Sequence, residues 1–169
     1  FTSGEVMQGG TTLQGTLNYP RGVFTDGTRV FVADASSNRV LIWTSWPTSN
    51  GQNPNLALGQ SAWTGAGAAN AATGFNVPTD VDFLNYDVGN GLYRILVTES
   101  TGCRIRVFNG LTVTLPSLSP PPSSNSASYD IGTSAAIGAA PVCSTTQATL
   151  NAPRAAWTDG TYLVVADTG

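Results

Sequence analysis

Apolar residues in this chain come in short runs that alternate with turn-forming residues, and the whole pattern returns. The stretch Leu17–Trp43, LNYPRGVFTDGTRVFVADASSNRVLIW, reappears as FNVPTDVDFLNYDVGNGLYRILVTESTGCRIRVF over Phe75–Phe108. It appears a third time, cut short, as LNAPRAAWTDGTYLVVADTG over Leu150–Gly169. Starts more than fifty residues apart mark a repeat architecture built from one supersecondary unit per copy. No segment carries the 3.6-residue periodicity of an amphipathic helix, whereas runs of four to six Val, Ile, Phe and Tyr residues between turn signals predict strands.

Each copy opens on an apolar residue, Asn, any residue and Pro: Leu17–Pro20, Phe75–Pro78 and Leu150–Pro153. Proline fixes φ and donates no hydrogen bond, so it belongs at a strand entrance. A short strand is expected next, over Gly22–Thr25, Asp80–Phe83 and Ala155–Thr158. In the first and third copies it ends in Thr-Asp-Gly-Thr, where Asp-Gly predicts a two-residue hairpin. The second copy expands this hairpin over Leu84–Leu92, with Asn90-Gly91 as its turn. The following strand, Arg29–Ala33, Arg94–Thr98 and Tyr162–Ala166, is apolar enough to predict burial on both faces. A third strand is expected over Arg39–Trp43 and Arg104–Phe108, and a weaker fourth over Leu56–Leu58 and Tyr129–Ile131.

Four short antiparallel strands per copy and no helix predict an all-β fold, a β-propeller with one blade per repeat. Residues 1–16 form a connector, 17–60 the first blade, 61–74 a connector, 75–131 the second blade, 132–149 a connector and 150–169 the first half of a third blade, all in one propeller domain. The motifs Leu-Asn-x-Pro-Arg-Gly-Val, Asp-Gly, Val-Phe-Val-Ala-Asp and Asn-Arg-Val-Leu-Ile-Trp resemble the NHL repeat. Leu56–Gln60 with its Ala/Gly-rich connector is similar to the longer bacterial form of that repeat. The resemblance covers about 140 of the 169 residues and is loosest in the second copy, where Glu99 replaces Asp34 and Cys103 replaces Asn38. NHL-type propellers close with more blades than this chain supplies. The ring is therefore expected to be incomplete within the chain: a segment of a longer protein, or a subunit completed by other copies. The start, Phe1–Gly4, resembles Ala62–Gly65, the connector that would follow a finished blade.

Composition narrows the function by exclusion. The 169 residues are 41% hydrophobic but only 10% charged, with net charge −3 and no histidine; all seven basic residues are arginine. Without His, most nucleophilic triads, most zinc sites and the usual neutral-pH base are gone. Without Lys, Schiff-base chemistry and a phosphate-loop lysine are gone. Related NHL-type propellers include an amidating lyase with metal-bound histidines, a role nothing here can fill. A pI near 4.5 offers no basic footprint for nucleic acid. No apolar run approaches the roughly 20 residues of a membrane span, and Phe1–Glu5 lacks the features of a signal peptide. No cofactor or metal is expected. The low charge and polar connectors suit a secreted or cell-surface protein.

Several residues are candidates for chemistry. Asp34, Glu99 and Asp167 end the second strand of each copy. They could ligate a cation, or they could accept turn N–H groups and pair with the arginine five positions on, Arg39 or Arg104. Arg21, Thr79 and Arg154 share the position after Pro, at the start of the strand that lines a propeller's channel. Two guanidiniums there could hold a carboxylate or another anion, or simply pair with acids. Asp80 and Asp82 lie two apart on that strand in the second copy and so face the same way. Trp63, in a connector, could stack on a sugar or a partner, or cap a blade interface. The propeller arrangement places Cys103 and Cys143 in loops on one face, so a disulfide is expected, worth a few kcal/mol and suited to an oxidising compartment; two unlinked thiols are the alternative. The Pro/Ser run over residues 116–128 is a composition suited to O-linked sugar. Three functions follow in order: a non-catalytic extracellular scaffold binding protein or glycan, a self-assembling ring or filament subunit, and a carboxylate-dependent hydrolase or lyase.

Overall fold

The computed structural model describes residues 12–87, 92–112, 127–144 and 146–169, the side chains of 85–87, 92, 93 and 110–112 excepted. The chain is all-β. Three antiparallel sheets follow one another: β1 (Pro20–Thr25), β2 (Val30–Asp34), β3 (Arg39–Trp43) and β4 (Leu56–Leu58) in the first, β5 (Pro78–Asp87), β6 (Leu92–Glu99), β7 (Arg104–Thr112) and β8 (Tyr129–Ile131) in the second, and β9 (Pro153–Thr158) with β10 (Leu163–Asp167) in the third. In the first two sheets the strands pair in chain order, and no sheet closes on itself. Among the described residues the helical content is one 3-10 turn, Ala35–Ser37. No helix there is long and apolar enough to cross a membrane.

Each proline is the first residue of its strand, as its missing N–H demands. The residue before it, Tyr19, Val77 or Ala152, has a positive φ of 57°, 55° or 59°. The pairing then slips by one: Pro20 faces Asp34 but Gly22 faces Ala33, and the same shift recurs at Pro78/Asp80 and Pro153/Ala155. Arg21, Thr79 and Arg154 are thus the extra residues of three equivalent β-bulges. A bulge re-aims a side chain locally, which fixes where these three point.

The Thr-Asp-Gly-Thr hairpins correct the expected two-residue loop. The last pairs are Thr25 with Val30 and Thr158 with Leu163, leaving four residues in each turn. The Asp carboxylate decides this. Asp26 Oδ1 accepts the N–H of Thr28 (2.9 Å) and Arg29 (2.7 Å), and Asp159 Oδ1 those of Thr161 (2.8 Å) and Tyr162 (2.7 Å). Gly27 and Gly160 take the positive φ this path requires, 87° and 92°. In the second copy the strands run on beyond Phe83, and Asn90-Gly91 lies outside the described residues. So do residues 1–11 and most of the Pro/Ser run.

The sheets stack face to face. Between the first and second lies the main core, with Phe31, Val40 and Ile42 against Val81, Phe83, Ile95 and Val97. Phe31 stacks on Phe83 at a centroid distance of 4.7 Å. Leu96, Ile105 and Val107 face Ala156, Leu163 and Val165 of the third sheet. On its far side the first sheet buries Val32, Leu41, Trp43 and Ala57 beneath Leu17 and Trp63. β2 and the described part of β6 are therefore covered on both faces, but β10 is not: Val164 and Ala166 are exposed because only one face of the third sheet meets a neighbour.

The turn after each second strand is tied to the connector that follows the sheet. Asn38, at φ 49°, donates from Nδ2 to Ala66 O (2.9 Å) and accepts Val77 N–H at Oδ1 (2.8 Å). Its counterpart Cys103, at φ 47°, is disulfide-bonded to Cys143 in the next connector. One position thus clamps the connector by an amide in one copy and covalently in the other.

Candidate functional site

β1, β5 and β9 converge on a groove of about 270 Å³ whose walls include Val23, Asp80, Asp82, Ala156, Trp157 and Val164. The strands approach closely because Gly22 has no side chain: a Cβ there would lie 2.6 Å from Asp80 Cα. The two carboxylates extend from β5 to the unpaired edge of β9. Asp80 Oδ2 accepts Ala156 N–H (3.2 Å) and Asp82 Oδ2 accepts Thr158 N–H (3.0 Å), while Asp82 Oδ1 takes Phe83 N–H (2.8 Å). Edge amides that would otherwise be orphaned are satisfied across the gap. Burial pushes both carboxyls above the usual aspartate range, against these hydrogen bonds, and the Asp82 charge raises Asp80 further. Trp157 and Val164 are 56% and 60% exposed, so the groove offers apolar surface beside its acids.

The three bulge residues are not brought together with this groove. Arg21 is exposed, with its guanidinium 5.4 Å from the Tyr19 ring centroid. Arg154 is exposed and its Nε reaches Thr168 Oγ1 at 3.4 Å. Thr79 is buried, its hydroxyl shared between the carbonyls of Thr98 (3.3 Å) and Pro153 (3.4 Å). Trp63 is half-buried on the far side of the first sheet, packed against the Val32–Leu41–Trp43 cluster, and its carbonyl accepts Arg39 Nη1 at 2.7 Å.

Asp34, Glu99 and Asp167 hold strand entrances in place. Each accepts the backbone N–H of the Asn that opens its own copy: Asn18 to Asp34, Asn76 to Glu99 (2.9 Å) and Asn151 to Asp167 (3.0 Å). Asp34 also binds Arg39 Nε (2.8 Å), both side chains fully buried, and the other nitrogens of Arg39 reach the carbonyls of Leu13, Thr16 and Trp63. In the second sheet Glu99 meets two guanidiniums, Arg104 (3.1 Å) and Arg106 (2.6 Å), with Asp130 beyond them at 3.6 and 3.9 Å. Burial raises the Glu99 carboxyl and lowers the Arg106 guanidinium, each opposed by the opposite charges around it.

Scanned against protein-family models and searched among curated proteins, the chain has no match. The site therefore has to be read from its own chemistry. Sequence reasoning named Asp80 and Asp82 but not the Trp157 and Val164 wall. A signal was present, since Trp157 occupies the repeat position of Phe24 and Asp82. Asp130 was missed too. It stands directly opposite Arg106 in the β7–β8 register, a cross-strand charge pair that only the pairing makes visible.

Proposed function

We propose that this chain is part of an NHL-type β-propeller acting outside the cell or on its surface as a non-catalytic scaffold, with a protein or glycan partner held in the Asp80–Asp82–Trp157 groove. The groove carries the reading: it joins two carboxylates that can accept hydrogen bonds to an exposed indole suited to stacking. Successive four-stranded meanders stacked face to face support a propeller, and the Cys103–Cys143 bridge supports an oxidising compartment. Both carboxylates are already engaged with β9 amides, which argues for anchoring and recognition over acid–base turnover. Screening the chain on arrays of glycans and of basic peptides tests this. A hit should weaken at least tenfold with Trp157→Ala and with Asp80→Asn/Asp82→Asn, without being cleaved. An empty screen, or a hit indifferent to both variants, refutes the groove; cleavage lost with Asp80→Asn would restore the hydrolase or lyase reading.

One observation supports self-assembly as the second reading. Phe24 and Phe31 of the first sheet are covered by the second, and the equivalent Asp82 and Leu96 by the third. The next equivalents, Trp157 and Val164, are exposed and so resemble a stacking face. A mass by light scattering that rises with concentration and falls back with Val164→Asp would support this reading; a concentration-independent monomer would remove it.

A further inference from the structure

The connectors that follow the first and second sheets are fastened in different ways. Residues 61–74 are held by hydrogen bonds from neighbouring side chains: Asn38 Nδ2 to Ala66 O (2.9 Å), Arg39 Nη1 to Trp63 O (2.7 Å) and Arg106 Nη2 to Asn70 O. Residues 132–149 have fewer such ties among the described residues. Between their ends, Ala139 O takes Arg104 Nη1 at 3.5 Å, and the Cys103–Cys143 disulfide supplies the covalent hold. Much of this connector faces solvent, with Ile137 40% and Val142 56% exposed.

The connector closes over a group of charges sealed from water. Glu99, Arg104 and Arg106 are fully buried beside Asp130, whose side chain is nearly so. Arg104 Nη1 meets both Ala139 O and, at 3.6 Å, Asp130 Oδ2, so the connector sits at the edge of this group. Neither Asp130 oxygen receives a hydrogen bond from the protein, and a buried carboxylate in that position gains from contact with water. Lifting the connector away from Arg104 opens that path.

We propose that the Cys103–Cys143 bridge is a redox-sensitive latch: a dithiol reductant opens it while the chain stays folded, releasing residues 132–149 from the second sheet. Cys143 is exposed and Cys103 is buried, so a thiolate arriving from solvent attacks Cys143. It bonds to the Cys143 sulfur, and the Cys103 sulfur leaves as a thiolate that takes a proton from water. The second thiol of the reductant then displaces Cys143. Two cysteines are reduced and the dithiol is oxidised to its cyclic disulfide. The sheets have other means of staying stacked: Phe31 lies on Phe83, and Asp80 and Asp82 hold the β9 amides. The equivalent clamp of the first connector, Asn38, contains no sulfur, so the response is confined to one connector. The latch does not depend on what the Asp80–Asp82 groove binds.

The test is elastase digestion of the chain in native buffer, before and after dithiothreitol, with the cleavage sites read by mass spectrometry. Ala139, Ala140 and Val142 offer the small residues that elastase cuts after. Cleavage tracks the population of the open form, so reduction should speed cutting within residues 132–149 about tenfold. Cutting elsewhere, the first connector included, should keep its rate. Iodoacetamide should then label both cysteines of the reduced, folded chain. Cys143→Ser should be cut at the fast rate without reductant and gain nothing from it; if that variant misfolds, the native chain still decides. A bridge that yields to dithiothreitol only in denaturant overturns the proposal. So does connector cleavage unchanged by reduction, or cleavage accelerated alike along the whole chain.

Discussion

Asp34 and Asp167 occupy the same repeat position and accept the same backbone N–H, yet their removal should have very different costs. Asp34 is fully buried and neutralises Arg39, whose guanidinium is also fully buried and cannot reach water. Asp34→Ala leaves that charge with only the carbonyls of Leu13, Thr16 and Trp63 and orphans Asn18 N–H as well. Removing one partner of a buried pair costs about 3–5 kcal/mol, a large share of the roughly 5–15 kcal/mol that holds a domain together. Asp167 is exposed; water can replace it at Asn151 N–H, so Asp167→Ala should cost no more than about 1 kcal/mol. Urea unfolding followed by tryptophan fluorescence measures both. The double variant Asp34→Ala/Arg39→Met should recover part of the loss, because it removes the stranded charge along with its partner. If Asp34→Ala and Asp167→Ala shift the midpoint equally, or the double variant is worse than the sum of its singles, burial of the pair is not what sets the cost.

Replacing Cys103 by Asn and Cys143 by Ser should lower stability by about 4 kcal/mol on the chain-entropy account of a loop of 40 residues, with Asn keeping the positive φ; a loss below about 1 kcal/mol in urea unfolding would show that the open chain is already constrained. Gly59→Ala should cost several kcal/mol, since φ is 92° and the new Cβ would lie 2.1 Å from Phe75 Cδ2, whereas Gly27→Ala has open space and only the left-handed penalty of about 1–2 kcal/mol. Asp80 and Asp82 have native pKa values raised above their unfolded ones, so their protonated forms favour the fold. Stability from them is fully present below the unfolded pKa and is lost as pH rises through the native values. Relative to Asp80→Asn/Asp82→Asn, the native protein should therefore gain stability as pH falls into the acid range; parallel pH profiles would refute the burial of these carboxyls.

Repetition makes much of the strand map legible in the sequence. Strand order and the strand starts at Pro20, Pro78 and Pro153 follow from residues whose backbone chemistry admits few alternatives. The hairpin length was misjudged because Asp26 and Asp159 act through their side chains, accepting two N–H groups each and widening the turn. Nor could the sequence say that Arg21, Thr79 and Arg154 sit on bulges, because a register shift exists only between two paired strands.

By itself, then, the amino-acid sequence determined local structure: strands from β-branched and aromatic runs, turns from Asp-Gly, entrances from proline, and the exclusion of histidine and lysine chemistry. Tertiary structure alone decided which side chains meet. Asp80 and Asp82 became groove walls because β9 presents free amides to them, and Asp34 is buried where Asp167 is not because β3 pairs beside β2 and sets Arg39 on Asp34, whereas β10 pairs only with β9 among the described residues. Such outcomes depend on contacts between residues up to 76 positions apart, which local propensity does not encode.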